Sequence, residues 1–259
     1  MYPVIELLGL KIYTFNVCVI LAVVVSILFF ISETKHILEA SVQDTCIALF
    51  GADIPFILAG AVLHNKIVYA NSLRDFVQLL HQNTGIAFFG GFLGGMTGFV
   101  ILYQIMLRHK IRIGQLMDLF APPLMLGHAI GRIGCLLGGC CFGKPFFLGI
   151  RYAEGTPAYQ MYGEQTLFPS QLIEALVLCV VFLYTRRMKA HQARFYLISY
   201  SVARFLLEFM RGDQRGNDGC LLSPAQVIAV GILLVVSGYI GYQELRKIVT
   251  KNNRIEDAS

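Results

Sequence analysis

Four stretches of this 259-residue chain hold residues whose types and spacing suit chemistry. The first is Leu126-Gly-His-Ala-Ile-Gly-Arg-Ile-Gly-Cys-Leu-Leu-Gly-Gly-Cys-Cys-Phe-Gly-Lys144, where Arg132 stands among apolar residues. An arginine at membrane depth costs from a few to roughly ten or more kcal/mol unless it faces a polar interior. Arg132 therefore requires an anionic partner. Glycines at 127, 131, 134, 138, 139 and 143 bare one side of the run, so that a second helix or a ligand can come close. The second stretch is Ala203-Arg-Phe-Leu-Leu-Glu-Phe-Met-Arg-Gly-Asp-Gln-Arg-Gly216. Arg204, Glu208 and Arg211 follow at spacings of four and three, on one helical face, with Asp213 and Arg215 after them. Arg204 and Glu208 compensate each other. That leaves Arg132 and Arg211 to hold an anion, and guanidinium forks match phosphate oxygens.

The third stretch, Phe168-Pro-Ser-Gln-Leu-Ile-Glu174, opens a helix. Proline before the first turn and a carboxylate within it suit a helix start, and capping accounts for Ser170. Gln171 beside Glu174 exceeds what a start needs and points to binding. The fourth, Phe88-Phe-Gly-Gly-Phe-Leu-Gly-Gly95, is built for close helix packing, with Gly90 and Gly91 as candidates for ligand contact. Each charged group also has a structural alternative, an ion pair that sets helix register. Cys135, Cys140 and Cys141 are too few for a closed zinc site, which takes four ligands, or three and an open position. No second CxxC pair accompanies them, so no metal and no cofactor is expected.

These groups are positioned by membrane helices. The composition is 56% apolar and 14% charged with mean hydropathy +0.64, far from a soluble domain's usual balance. The expected class is an all-α polytopic membrane protein forming a single transmembrane domain over residues 1–259. Apolar runs long enough to span lie near Ile12–Ile31, Thr45–Leu63, Gly85–Leu107, Gln115–Leu137, Gln171–Tyr184, Phe195–Met210 and Leu222–Tyr242, which makes about seven. Asp53 and Pro55 weaken the second, and the fifth is short. The first run lacks a basic leader and a small-residue cleavage site, so it is expected to remain in the membrane.

The net charge of +5 falls in short clusters between apolar runs, where Lys and Arg set topology. No nucleic-acid partner is expected. One set of alternate loops carries twelve Lys and Arg, among them Arg108, Lys110, Arg112, Arg186, Arg187 and Lys189, and the other set carries seven. The richer side is cytoplasmic, which puts the N-terminus outside and the C-terminus inside. The segment of about 138–170 is then an extracytoplasmic loop, irregular or partly re-entrant, and such long loops are usually functional. Between spans two and three, Leu73, Phe76, Val77 and Leu80 outline an amphipathic interfacial helix within His64–Thr84. Cys18, Cys46 and Cys179 fall in apolar runs as small hydrophobes.

Gly131-Arg-Ile-Gly-Cys-Leu-Leu-Gly-Gly-Cys-Cys-Phe-Gly143, Pro169-Ser-Gln-Leu-Ile-Glu174 and Arg204-Phe-Leu-Leu-Glu-Phe-Met-Arg-Gly-Asp213 together resemble the prolipoprotein diacylglyceryl transferase family. The resemblance covers most of the chain in the right order. It implies transfer of a diacylglyceryl group from phosphatidylglycerol to the lipobox cysteine thiol of a preprolipoprotein signal peptide, releasing glycerol 1-phosphate, in the bacterial cytoplasmic (inner) membrane. Arg132 and Arg204 match the family's essential arginines, and Glu208 and Arg211 the acidic and basic residues that follow. Gly131, Gly134, Gly143, Gln171 and Glu174 join them as substrate-binding candidates. The chain departs from better-known members at Phe89, where a histidine precedes the double glycine, and at Phe15-Asn16, Val62, Cys135, Cys140 and Phe168. With Phe89 unable to take a proton, His128, one turn before Arg132, is the candidate catalytic base, with Tyr152 behind it. The alternatives are a paralogue using the same lipid with another acceptor, or a non-catalytic phospholipid-binding or transport protein.

Overall fold

The computed structural model describes residues 3–7, 10–69, 88–213 and 222–256. In chain order these form β1 (Val4–Leu7), β2 (Leu10–Tyr13), α1 (Thr14–Thr34), α2 (Ala40–Tyr69) and α3 (Phe88–Leu102), which runs on as one π turn over Tyr103–Leu107. Then come α4 (Ile113–Gly138), β3 (Pro145–Ile150), α5 (Pro157–Tyr162), α6 (Ser170–Thr185), α7 (Gln192–Glu208) and α8 (Pro224–Glu256). The stretch with Leu73, Phe76, Val77 and Leu80 lies outside the described residues, as does Arg215.

By length and composition five helical stretches suffice to cross a membrane: Thr14–Thr34, Ala40–Leu63, Gly90–Leu107, Ile113–Gly138 and Pro224–Arg246. The chain is thus a mostly helical, multi-pass membrane protein. The two remaining expected spans, α6 and α7, have 16 and 17 residues. At about 1.5 Å per residue they are some 5 Å short of a hydrocarbon core of about 30 Å. α6 is apolar beyond its first turn, which carries Gln171 and Glu174, whereas α7 carries Arg194, Arg204 and Glu208.

The β1–β2 hairpin was not foreseen. Its antiparallel register pairs Ile5 with Ile12 and Val4 with Tyr13, so Ile12, expected to begin the first span, is strand, and the helix starts at Thr14. The Thr14 amide and hydroxyl both donate to the Pro3 carbonyl, at 3.1 and 3.2 Å.

Two compact units divide the chain: residues 1–30 with 117–259, and residues 31–116. In the first, α1 packs on the glycine face of α4. A side chain at Gly127 would meet Ser26, and one at Gly134 would meet the Cys18 Cβ at 2.8 Å, while Ser26 donates its hydroxyl to the Pro123 carbonyl at 2.9 Å. The opposite side of α4 contributes Ala121 and Met125 to a core with Val181 of α6 and Ala193 of α7. Asp118, near the start of α4, caps α7 from a distance, accepting from the His191 and Ala193 amides at 2.8 and 3.0 Å. α7 packs on α8, where the Arg194 guanidinium lies over the Tyr239 ring and donates to Gln243.

The segment 138–170 is ordered rather than irregular. Phe142, Tyr152, Ala158 and Leu167 form its own small core. β3 is tied down where the Phe146 amide donates to Thr166, and the Thr156 hydroxyl accepts from the Tyr159 amide to cap α5. Phe147 and Leu148 on β3 stay exposed.

The second unit is built on glycine contacts between α2 and α3. Gly60 presses on the Gly90 carbonyl and on the Gly94 Cα, and Gly94 presses on the Phe56 carbonyl. Backbones this close are what small residues in membrane helices permit. Asp53 and Pro55, expected to weaken this span, are carried inside one unbroken 30-residue helix, because Gly98 leaves the space that the Asp53 carboxylate fills. At Gly94 any side chain collides with backbone. Gly94→Val is expected to lower stability by about 1–3 kcal/mol or more, as overpacking does. Gly51→Ala, with open space around it, leaves stability unchanged. Thermal unfolding followed by circular dichroism in detergent reads both.

Candidate active site

Three helices of the first unit bring the predicted residues together, each for a legible reason. α4 presents His128 and Arg132 at a spacing of four. The first turn of α6 presents Gln171 and Glu174 at a spacing of three. α7 carries Tyr196, Tyr200, Arg204 and Glu208 at successive spacings of four, a single ridge. Sequence reading overlooked the two tyrosines, although that four-residue period was the signal that reveals them.

Glu174, 1% exposed, is the centre. Its Oε1 lies 2.9 Å from Arg132 Nε, accepts from the Tyr200 hydroxyl at 2.7 Å and is 3.9 Å from His128 Nε2. The Arg132 Nη2 points to the Tyr200 oxygen at 3.4 Å. The His128 ring is held by a hydrogen bond between Nδ1 and the Tyr196 hydroxyl at 3.0 Å and by edge contact with the Tyr200 ring at 4.7 Å. Space next to Arg132 remains: a Cβ at Gly131 would meet nothing within 4 Å.

One turn along α7, about 6 Å of rise, lies a second cluster. Arg204 pairs with Glu208 on its own helix. Arg211 sits 3.7 Å from the same carboxylate and grips Asp213 through Nε and Nη2 at 2.8 and 2.7 Å. These contacts correct one expectation. Arg132 and Arg211 do not lack carboxylate partners, because Glu174 and Asp213 reach them across helix and turn. In both clusters each arginine faces a carboxylate.

The third stretch works as a lock. Ser170 does not cap α6. Its hydroxyl instead donates to the Cys141 carbonyl at 2.7 Å. Gln171 donates to the Cys140 carbonyl at 2.6 Å and accepts from the Tyr152 hydroxyl at 3.0 Å. Burial pushes the Tyr152 phenol up to about 12, against the lowering effect of the Gln171 hydrogen bond. It therefore holds its proton at neutral pH and donates it to the Gln171 side chain. Gly143 is taken up by the protein: its amide donates to the Phe168 carbonyl, and a side chain there would strike the Phe168 and Met210 carbonyls. Gly134 is likewise occupied by α1. In the second unit Gly91 faces Ala61 and Ile57, and the Gly90 carbonyl faces Gly60, so both serve helix packing there. The thiols of Cys135, Cys140 and Cys141 all lie within 4.8 Å of one another.

The chain matches the family model described as prolipoprotein diacylglyceryl transferase over residues 3–242. It is 30% identical over 241 residues to phosphatidylglycerol–prolipoprotein diacylglyceryl transferase 2 of Clostridium perfringens, covering 88% of this chain and 90% of that protein. The corresponding enzyme of Staphylococcus epidermidis is 31% identical over 221 residues, covering 79% and 76%, and that of Clostridium tetani 27% over 248 residues, covering 91% and 95%. With the match spanning nearly every described element and all three charged helices, the chain is a membrane transferase and belongs to the prolipoprotein diacylglyceryl transferase family.

Proposed function

We propose that this chain transfers a diacylglyceryl group from phosphatidylglycerol to the lipobox cysteine of a preprolipoprotein, forming a thioether and releasing glycerol 1-phosphate in the cytoplasmic membrane. The supporting observation is the Arg132–Glu174–Tyr200 cluster set beside Arg204, Glu208 and Arg211 in a helical membrane protein of this family. Seven crossings with the N-terminus outside go with it, α6 and α7 being short spans.

Arg132 and Arg204 act on the lipid phosphate. Glu174 would repel that phosphate, so its part is to hold Arg132 in orientation. The guanidinium carries five N–H donors, and the contacts to Glu174 and Tyr200 engage Nε and Nη2, leaving the rest of the fork for phosphate oxygens, with Gly131 providing room. As the carbon–oxygen bond breaks, the phosphodiester becomes a monoester with one further negative charge. Donors aimed there bind the transition state more tightly than the ground state. His128, fixed by Tyr196, receives the thiol proton, and Glu174 nearby stabilises the imidazolium. Glu208 and Arg211 keep Arg204 in place, and Gln171 fixes the loop wall.

Phe89 favours a second reading, in which the same lipid is transferred to a different thiol. Purified protein in phosphatidylglycerol micelles is expected to release glycerol phosphate with a lipobox peptide and not with its Cys→Ser form. Release with other thiols but none with the peptide overturns the lipobox acceptor. Release independent of any thiol, or none at all, overturns the transferase activity. Arg132→Lys is expected to reduce kcat by about 10²–10³, the scale for losing one oriented donor. Glu174→Gln, which keeps the shape but not the charge, is expected to cost less than Arg132→Lys in the same assay. Gln171→Leu strips the Cys140 carbonyl and Tyr152 hydroxyl of their partner. Faster tryptic cleavage after Arg151 is the expected result, read by mass spectrometry.

A further inference from the structure

The end of α4 folds back on itself in a way that serves three thiols. Gly139, at φ +67, lets its own amide donate to the Leu136 carbonyl at 3.3 Å and the Cys140 amide donate to the Cys135 carbonyl at 3.1 Å. This pair of bonds is the Schellman ending of a helix, and it lays residue 140 over residue 135. Cys141 then takes φ 61, a left-handed conformation that non-glycine residues seldom adopt. That conformation is held from outside, by Ser170 on the Cys141 carbonyl and Gln171 on the Cys140 carbonyl. Cys135, Cys140 and Cys141 thereby converge within 4.8 Å, each partly buried. Cys18 and Cys46, by contrast, sit singly in helices α1 and α2.

We infer that Cys135, Cys140 and Cys141 bind a thiophilic divalent cation, zinc, and that its fourth position receives the sulfur of the acceptor thiol. Zinc–sulfur bonds of about 2.3 Å in a tetrahedron set the sulfurs about 3.8 Å apart, so closing on the ion asks for shifts of about 1 Å at most. Thiolates select zinc over magnesium or calcium. Three thiolates around a divalent ion leave one negative charge. Arg211, whose backbone pairs with Gly143 two residues past Cys141, and Arg132, one turn before Cys135 on α4, stand on the elements where that charge forms. Three ligands and an open position is the pattern of zinc sites that act on a substrate.

This rests on the thiol-transfer reading above and specifies how the thiol is activated. The acceptor enters the fourth position and loses its proton, which passes through water to His128, since coordination deprotonates a thiol outright. The sulfur lone pair then attacks the terminal glycerol carbon of the lipid. The carbon–oxygen bond breaks, its electron pair staying on the phosphate oxygen, and the thioether, a weaker ligand, leaves the metal. Nothing is oxidised or reduced.

The test uses the full chain, purified under mild reductant in detergent with phosphatidylglycerol, loaded with zinc and desalted. Elemental analysis is expected to find about one zinc per chain. The Cys135→Ser/Cys140→Ser/Cys141→Ser variant should retain less than a tenth of that, and Cys179→Ser all of it. Cobalt(II) added to wild-type protein avoids dependence on the variants' folding: a thiolate-to-cobalt charge-transfer band is expected, and it should grow with a cysteine lipobox peptide but not with the serine form. No metal uptake, or cobalt bound without thiolate bands, overturns the site. Bands that ignore the cysteine peptide overturn the open position. Transfer is scored separately. Stripping zinc is expected to slow it at least tenfold, with recovery on zinc return. Equal rates with and without zinc overturn the metal's part and leave the transferase reading standing. Bound cobalt that responds to the peptide, without transfer under any condition, supports the site and overturns that reading.

Discussion

The first of the two compact units depends on satisfying one buried charge. Arg132 sits in a helix apolar enough to cross a membrane, and its partner Glu174 is all but inaccessible, at 1% exposure. Neither charge is tolerable alone in such surroundings: removing one partner of a buried pair typically costs about 3–5 kcal/mol. The pair therefore obliges α4 and α6 to meet at one register. Tyr200, donating to the same carboxylate oxygen, draws α7 into that register. The glycines of α4 contribute from the other side. Gly127 and Gly134 let α1 approach so closely that α4 is enclosed without bulky side chains, leaving its polar face to α6 and α7.

A second consequence concerns charge balance. Each arginine of the site has a carboxylate within the fold: Arg132 has Glu174, Arg204 has Glu208, and Arg211 has Asp213. A site prepared in this way is stable before any lipid arrives. In the proposed reaction its guanidinium groups would meet the phosphate with their direction already set, and preorganisation of this kind stabilises developing charge at little reorganisation cost. The same first turn of α6 that supplies Glu174 also supplies Ser170 and Gln171, which lock the loop after α4. One turn of helix thus orients the arginine and holds the wall beside it, including the left-handed Cys141.

Much of this was legible in the residues. Arginine among apolar residues demanded a buried polar face, the spacing of Arg204, Glu208 and Arg211 placed them on one helix face, and the glycines announced close packing. Other features were not legible because they depend on contacts distant in sequence. The hairpin before α1 is held by pairing of Ile5 with Ile12 and by Thr14 reaching back to Pro3, which hydropathy does not register. Asp53 looked like a break in a span, and it is accommodated because Gly98 on another helix makes room. The loop 138–170 read as irregular from its glycines and proline, yet Phe142, Tyr152, Ala158 and Leu167 give it a core.

By itself the sequence determined the class, a helical membrane protein, and the chemical character of its interior, because hydropathy and the cost of burying charge act locally and residue by residue. It also determined the family, since three motifs in order are specific where one is not. Only the tertiary structure decided which charges meet. Arg132 and Arg211 seemed to await an external anion until Glu174 and Asp213 were found against them, and Tyr200 joined the site only when α7 lay beside α6. Three cysteines about the end of α4 counted for little until the turn at Gly139 folded Cys140 back over Cys135. Periodicity specifies the face a residue occupies, but the partner across that face is chosen by packing between helices, which no local pattern encodes.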